Sequence, residues 1–174
     1  MAKLSSLDDL LVHELQDIYN AEGQILKALP KMAKAATNPE LKAAFEEHRV
    51  QTEGQVHRLE QVFKLLGQPV KGKKCEGMAG LIEEGKKTME EDAEPAVMDA
   101  ALIGTAQKVE HYEIASYGCV CTYAEMLGYD EAHELLGLNL DEEESTDQRL
   151  TTLAETVINL EAEEGDVESE EASR

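Results

Sequence analysis

Four long segments with helical periodicity, separated by two short breaks and one long one, constrain the fold of this chain more than any other feature. Ser, Asn, Pro and Gly stand at the breaks, and these are the usual start and stop residues of helices. The chain is therefore predicted to be all-α. The predicted helices span about residues 5–36, 39–66, 95–128, and from 130 towards the acidic end of the chain.

The lengths of the connections predict how these helices are arranged. Two tight turns make antiparallel hairpins of the first two and the last two helices, because short loops join antiparallel neighbours. Residues 68–94 are long enough to travel the length of the bundle and carry one short amphipathic helix. This topology is that of a ferritin-like four-helix bundle with one long crossover connection that carries a short fifth helix. We expect the bundle to comprise residues 1–164, followed by a disordered acidic tail, 165–174.

Composition and charge exclude several classes of partner. The 174 residues carry a formal net charge of −21, which would repel both nucleic acid and an anionic membrane surface. No apolar run approaches the roughly 18 residues that a membrane span requires, and the N-terminus lacks the regions of a signal peptide. We therefore expect a cytoplasmic protein that binds neither nucleic acid nor membrane. The three cysteines are interpreted as buried or idle thiols.

The inward-facing stripe of each long helix is apolar at one or both ends and polar near its middle. Counted from the turns, these interruptions lie about 15 residues from a helix end, which places them in one layer at mid-bundle. Within this layer the stripes carry acids and a histidine but no Lys or Arg. The polar residues of the four stripes are Glu22, His48, Thr52, Gln55, Glu110, Glu113, Asn139, Glu143 and Thr146, and counting places Glu22, Thr52, Glu110, Glu113 and Glu143 at one height.

Four carboxylates and an imidazole in one buried layer are typical of a metal site, because such acids do not stay ionised together without a cation. We predict two divalent metal ions, iron in preference to manganese, since both suit carboxylate and imidazole ligands. The predicted ligands are Glu22, His48, Glu110, Glu113, Glu143 and, one turn after the last, Asp147. Further ligation by Gln51, Thr52 or Gln55 is left open.

The alternative is a metal-free network of shared protons and waters, assisted from the flanks by Arg58, Lys108 or Arg149. Tyr117, one turn beyond Glu113, is either an ordinary core residue or a hydrogen-bond donor to a ligand carboxylate. The sequence contains no nucleophile–base arrangement and no Gly-rich phosphate loop, so no catalytic residue is assigned.

Several short motifs resemble the YciE/YciF group of ferritin-like proteins. They are AEGQ (21–24), His48 with TEGQ (52–55), CEGMAGLIEE (75–84), EHYEIASY (110–117) and the paired glutamates of the last helix. The resemblance implies a ferritin-like bundle, a homodimer, a link to bacterial stress responses and a fold related to rubrerythrin. This chain differs in carrying Gln51 where relatives often carry Glu, and the last helix offers no His beside Glu143.

Three classes of function remain open at this point. The first is redox work of a dinuclear metal centre on oxygen or peroxide during stress. The second is binding or sequestration of metal without turnover. The third is a structural or interaction role in the stress response.

Overall fold

Helices make up nearly all of the part of the chain that the structure, a computed structural model, describes, which is residues 4–164. The predicted acidic tail, 165–174, lies outside the described residues. After α5 the chain forms a π-helical turn at Ala154–Ile158, and residues 159–164 are again helical. The five helices are α1 (Leu7–Ala35), α2 (Pro39–Leu65), α3 (Glu76–Glu90), α4 (Pro95–Leu127) and α5 (Asp130–Leu153).

The helix ends follow the capping residues in the sequence. The Ser6 hydroxyl accepts a hydrogen bond from the Asp9 amide at 3.1 Å and so starts α1. The Asn38 side chain accepts from the Glu40 amide at 2.9 Å, with Pro39 in the first position of α2. Gly128 ends α4 with a φ of 74°, which a residue with a Cβ adopts at a cost. The predicted boundaries of the four long helices are thus confirmed to within two residues.

The four long helices form the bundle that the connection lengths predict. α1 packs along α2 and α4 packs along α5, while the α2–α5 and α1–α4 contacts close the ring. α3, in the crossover, packs on the outside against α1 and α4. The ferritin-like fold with its one crossover is therefore confirmed. None of the described helices is both long and apolar enough to cross a membrane.

Two residues, Asp99 and Cys75, form contacts that hold the connections between helices. Buried Asp99 of α4 accepts hydrogen bonds from the Thr37 and Asn38 amides, each at 2.8 Å, which holds the α1–α2 turn. Cys75 begins α3, and its sulfur lies 3.0 Å from the Tyr112 hydroxyl of α4. The Cys75 thiol is thus buried and part of the packing between α3 and α4.

A polar layer divides the hydrophobic core into two clusters. One cluster includes Ile25, Leu29, Leu41 and Phe45, near the α1–α2 turn. The other lies towards the opposite end and includes Leu15, Leu59, Phe63 and Leu136. Between them lie eight buried polar side chains of the described residues, and these provide the candidate site: Glu22, His48, Thr52, Gln55, Glu110, Glu113, Asn139 and Glu143.

Candidate metal centre

Four side chains from three helices converge in the polar layer. His48 of α2, Glu110 and Glu113 of α4, and Glu143 of α5 each offer one ligand atom, and these atoms lie within 4.8 Å of one another. All four side chains are at most 3% exposed. Glu110 and Glu113 share a face of α4 because residues three apart in a helix are neighbours. The sequence-based prediction of a common layer thus agrees with the geometry for these four residues.

The His48 ring directs its Nε2 nitrogen towards the carboxylates, while its Nδ1 nitrogen faces Thr146. Nε2 lies 3.3 Å from Glu110 Oε1 and 3.9 Å from Glu143 Oε2. Nδ1 lies 3.5 Å from the Thr146 hydroxyl, which is itself 3.4 Å from Gln51 Oε1. Because the Thr146 hydroxyl donates to Gln51, its oxygen is free to accept from Nδ1–H. With the proton on Nδ1, the lone pair of Nε2 would face the acids, which is the state in which imidazole binds a metal ion.

Glu22 of α1 joins the layer through a chain of hydrogen bonds. The Tyr117 hydroxyl donates to Glu22 Oε1, and the Asn139 amide donates to the Tyr117 oxygen at 3.0 Å. The Arg58 guanidinium in turn donates to the Asn139 side-chain oxygen. Each group in this series of hydrogen bonds donates to the next group inwards, and the final acceptor is the Glu22 carboxylate. Tyr117 is therefore a donor to one of the predicted ligands as well as a core residue.

The three polar residues of α2 left open by the sequence have different positions. Gln55 is fully buried and donates its amide hydrogen to Glu143 Oε1. Thr52 donates its hydroxyl hydrogen to the His48 carbonyl at 2.8 Å, within its own helix. Gln51 contacts only the Thr146 hydroxyl, on the outer side of the His48 ring. Of the three, Gln55 alone forms a hydrogen bond with the side chain of a candidate ligand.

Seven buried side-chain atoms of this layer have no hydrogen-bond partner, although buried polar atoms are normally paired. Within the described residues, every such atom belongs to the candidate site. Most of them are carboxylate oxygens, which only accept, and the remaining two are an amide oxygen and an imidazole nitrogen. Cations bound in the layer would satisfy these atoms. They are Glu22 Oε2, His48 Nε2, Gln55 Oε1, Glu110 Oε2, both oxygens of Glu113, and Glu143 Oε2.

The acids of the layer disfavour ionisation when no cation is bound. Burial is the main cause that raises the pKa of Glu22, Glu110 and Glu113 well above the ordinary value, and neighbouring carboxylates raise it further. The Tyr117 hydrogen bond acts in the opposite sense and lowers the pKa of Glu22. Within residues 4–164 no lysine or arginine forms an ion pair with these carboxylates. Arg58 pairs with Glu142, and from that position its charge lowers the pKa of Glu22.

Asp147, the sixth predicted ligand, lies at the edge of the layer. Its Oδ1 accepts from the Gln107 amide at 3.1 Å and is 3.5 Å from His111 Nε2. The Asp147 side chain is 20% exposed and the His111 side chain 70% exposed. The charge of Asp147 still reaches the layer, where it raises the pKa of Glu110. The structure thus brings together five of the predicted residues and places the sixth at their margin.

Sequence reasoning assigned no role to Asn139, although it lies on the inward stripe of α5. Its amide bridges Tyr117 and the Gln55 carbonyl, at 3.0 and 3.4 Å. An amide on the inward stripe of a helix is a signal in itself, because such a buried group requires partners. Its link to Arg58 was not predictable, since Arg58 lies on the flank of α2.

Residues 6–163 match the family described as domain of unknown function (DUF892). The chain is 46% identical over 161 residues to the protein YciF of Escherichia coli K12, and the match covers 92% of this chain and 97% of that protein. The solved structure of this E. coli stress protein superposes with a TM-score of 0.86 over 90% of this chain and 99% of YciF.

Two other solved structures extend this comparison. YcfI of Rhodopseudomonas palustris, which has been put forward as a structural protein, is 47% identical, with a TM-score of 0.84 over 86% of this chain and 96% of YcfI. A protein of Xanthomonas campestris, at 24% identity and a TM-score of 0.74 over 92% of this chain and 99% of that protein, supports the fold alone. The extent of the sequence match and the shared bundle establish that this chain belongs to the YciF family of ferritin-like proteins, the family described as DUF892.

Proposed function

We propose that this protein binds a dinuclear centre of divalent metal ions in the core of its bundle, with iron preferred to manganese. The observation that carries the proposal is the set of unpaired buried atoms, all of which belong to one layer of the described residues. The proposed ligands are those predicted from the sequence, with Asp147 in reach of the edge of the site: Glu22, His48, Glu110, Glu113, Glu143 and Asp147.

The charge of the layer supports two ions. Glu22, Glu110, Glu113 and Glu143 carry four negative charges when ionised, which two divalent cations neutralise. A metal-free network is the alternative, in which the acids hold protons instead. Shared protons would satisfy some of these atoms, and a protonated Glu110 would donate to His48 Nε2, 3.3 Å away, but the buried Gln55 oxygen would have no donor unless an acid turned towards it. The donor set therefore favours metal over protons.

Mixed imidazole and carboxylate ligation suits iron and manganese. When bound, such a pair of ions supplies electron transfer to oxygen or peroxide. The residues of this chain contribute the surroundings. Thr146 contacts the Nδ1 side of the His48 ring, Tyr117 orients Glu22, and burial of the candidate ligands limits access to molecules as small as oxygen and peroxide.

The biological setting that we propose follows from the family. YciF is described as a stress protein of E. coli, and we extend that role to this chain, acting in the cytoplasm as a homodimer. The likeness to YcfI, put forward as a structural protein, favours a second candidate, a structural protein of the stress response in which metal has no chemical role.

Metal analysis after aerobic purification tests the proposal against this second candidate. Divalent metal bound in a fixed ratio to the chain and lost in the Glu143→Gln variant is the expected result. Protein that stays free of metal after incubation with iron and manganese salts would establish the structural role instead. Consumption of oxygen or peroxide by the ferrous-loaded protein then separates redox work from sequestration.

A further inference from the structure

The polar layer is not symmetric, and its two ends differ in ligand chemistry. At one end lies His48, whose Nε2 is 3.3 Å from Glu110. At the other end lies Glu22, bonded to Tyr117, and the neighbouring donors are oxygens. The ligand atoms of Glu113 and Glu143 lie within 4.8 Å of those of His48 and Glu110. Glu143 also accepts a hydrogen bond from Gln55, and the charge of Glu22 acts on Glu113, so both acids face the two ends.

We infer that the Glu22 end forms a second metal position made only of oxygen ligands, completed by the side-chain oxygen of Gln55. This inference rests on the proposed metal-binding function. The position comprises Glu22 and Gln55 together with the shared carboxylates Glu113 and Glu143. The first position, with His48 and Glu110, is the one that contains nitrogen.

Gln55 is fully buried and lies inside the layer. Its amide nitrogen donates to Glu143 Oε1, while its oxygen has no partner. The amide is planar, so an oxygen beside a nitrogen that contacts Glu143 lies in the layer too. Turning the amide over would set oxygen against the Glu143 carboxylate, which again requires a cation or a proton between them. A fully buried amide oxygen without a donor is costly in protein interiors unless a ligand satisfies it.

Asn139 links the backbone of Gln55 to Tyr117, the donor to Glu22. The Asn139 amide donates both to the Gln55 backbone carbonyl, at 3.4 Å, and to the Tyr117 oxygen, at 3.0 Å, and Tyr117 donates to Glu22. Arg58 anchors Asn139 from the outer side. The oxygen-only end is therefore fixed before any ion binds by a continuous set of hydrogen bonds that involves all four long helices.

Ligand type determines which ions each position prefers. Carboxylate and carbonyl oxygens suit magnesium and manganese, whereas imidazole favours iron and zinc. Manganese should enter both positions. Excess magnesium should then displace it from the Gln55 position and leave it at the His48 position.

The test measures manganese bound to the full chain by equilibrium dialysis with and without excess magnesium. We expect two manganese ions per chain in the unaltered protein, of which magnesium displaces one. Gln55→Leu should bind one ion that resists magnesium, and His48→Gln should bind one ion that magnesium displaces. Gln61→Leu, the same change at an exposed residue of α2, is the control and should behave like the unaltered protein.

Several results would overturn the inference. The inference would be wrong if the Gln55→Leu variant bound two ions. It would also be wrong if the unaltered protein bound two ions that both resist magnesium, or if it bound only one ion. The first two results leave the dinuclear centre in place, whereas a single ion in the unaltered protein would leave metal binding in place but overturn the dinuclear centre as well. An unaltered protein that binds no manganese or iron would instead overturn the proposed function, and the inference with it.

A second variant protects the test against misfolding of Gln55→Leu. Gln55→Glu keeps an oxygen at the same place and adds a charge, so it should retain both ions and hold the magnesium-sensitive one at least ten times more tightly. Weaker binding of that ion in a variant with an unchanged helical circular dichroism spectrum would exclude Gln55 from the position.

Discussion

Tyr117 of α4 donates its phenolic hydrogen to Glu22 of α1, while its oxygen accepts a hydrogen bond of 3.0 Å from Asn139 of α5. One hydroxyl thus joins three helices at a candidate ligand. The contact fixes the Glu22 carboxylate while leaving its second oxygen free for an ion. Side chains that orient metal ligands in this way commonly affect affinity nearly as much as the ligands do.

Tyr117→Phe should therefore weaken metal binding while keeping the fold. The ring still fills the core, but Glu22 loses its donor, and the affinity for manganese should fall about 10- to 100-fold. Isothermal titration calorimetry measures the change. Tyr123→Phe on the same helix is the matched control, because the groups that raise the pKa of Tyr123, Cys119 and Glu14, lie outside the layer. Equal losses in both variants would show that Tyr117 acts only through general packing.

The stability of the metal-free protein should fall as the pH rises. The pKa of Glu22, Glu110 and Glu113 is raised in the folded chain, chiefly by burial, so folding favours their protonated forms. Their contribution to the free energy of unfolding is fully present below the unfolded pKa, near 4.3 for glutamate, and is lost as the pH rises through the folded values. Thermal unfolding with a chelator, between pH 5 and 8, measures this slope.

Metal should reverse this dependence, because protons compete with cations for the same oxygens. The difference in melting temperature between metal-loaded and chelated protein should widen with pH and vanish near pH 4. The Glu110→Gln variant, measured with chelator, separates the layer from the rest of the acidic surface. Its stability should depend less steeply on pH than that of the unaltered protein, because one titrating group of the layer is gone. An identical slope in that variant would mean that the layer does not contribute to it.

Glu110→Gln should reduce metal binding but stabilise the metal-free protein. It removes one charge from the layer, so bound metal should drop by at least one ion per chain. Without metal at pH 8, relief of the buried charge should stabilise the fold by about 1–4 kcal/mol. Glu53→Gln is the control, because Glu53 is half exposed and pairs only with Arg49 on the surface. Loss of metal in Glu53→Gln but not in Glu110→Gln would place the site elsewhere.

Asp99→Ala should destabilise the bundle without altering metal binding. The Asp99 carboxylate accepts three hydrogen bonds from the α1–α2 turn, two of them from backbone amides at 2.8 Å. Their loss at a buried position should cost about 2–4 kcal/mol, which urea unfolding measures. Asp92→Ala, at an exposed position between α3 and α4, should cost little. A loss below that of the control would show that the turn is held by other contacts.

The chain is expected to form a homodimer in solution. This expectation comes from the family, since four helices already bury their own apolar stripes. Light scattering at micromolar concentration should give twice the chain mass of 19.2 kDa. A mass equal to one chain would refute the dimer.

The sequence alone was sufficient for the helices and for most of the layer. Helix ends depend on local groups such as Ser6, Asn38 and Gly128, whose capping chemistry acts within a few residues. The rise and rotation per residue are nearly constant in a helix, so the height of a residue along the bundle and the face on which it lies follow from counting residues. Counting placed His48, Glu110 and Glu143 together, and the structure agrees.

Only the tertiary structure decided what each polar side chain contacts. Asp147 lies one turn from Glu143, yet the arrangement of α4 and α5 gives it Gln107 and His111 as partners at the margin of the layer. Thr52 faces the layer, but its hydroxyl hydrogen returns to its own helix. Periodicity sets the direction of a Cβ atom, whereas hydrogen bonds depend on rotamers and on which helix stands opposite. For this reason the chain from Arg58 through Asn139 and Tyr117 to Glu22 emerged only from the packed bundle.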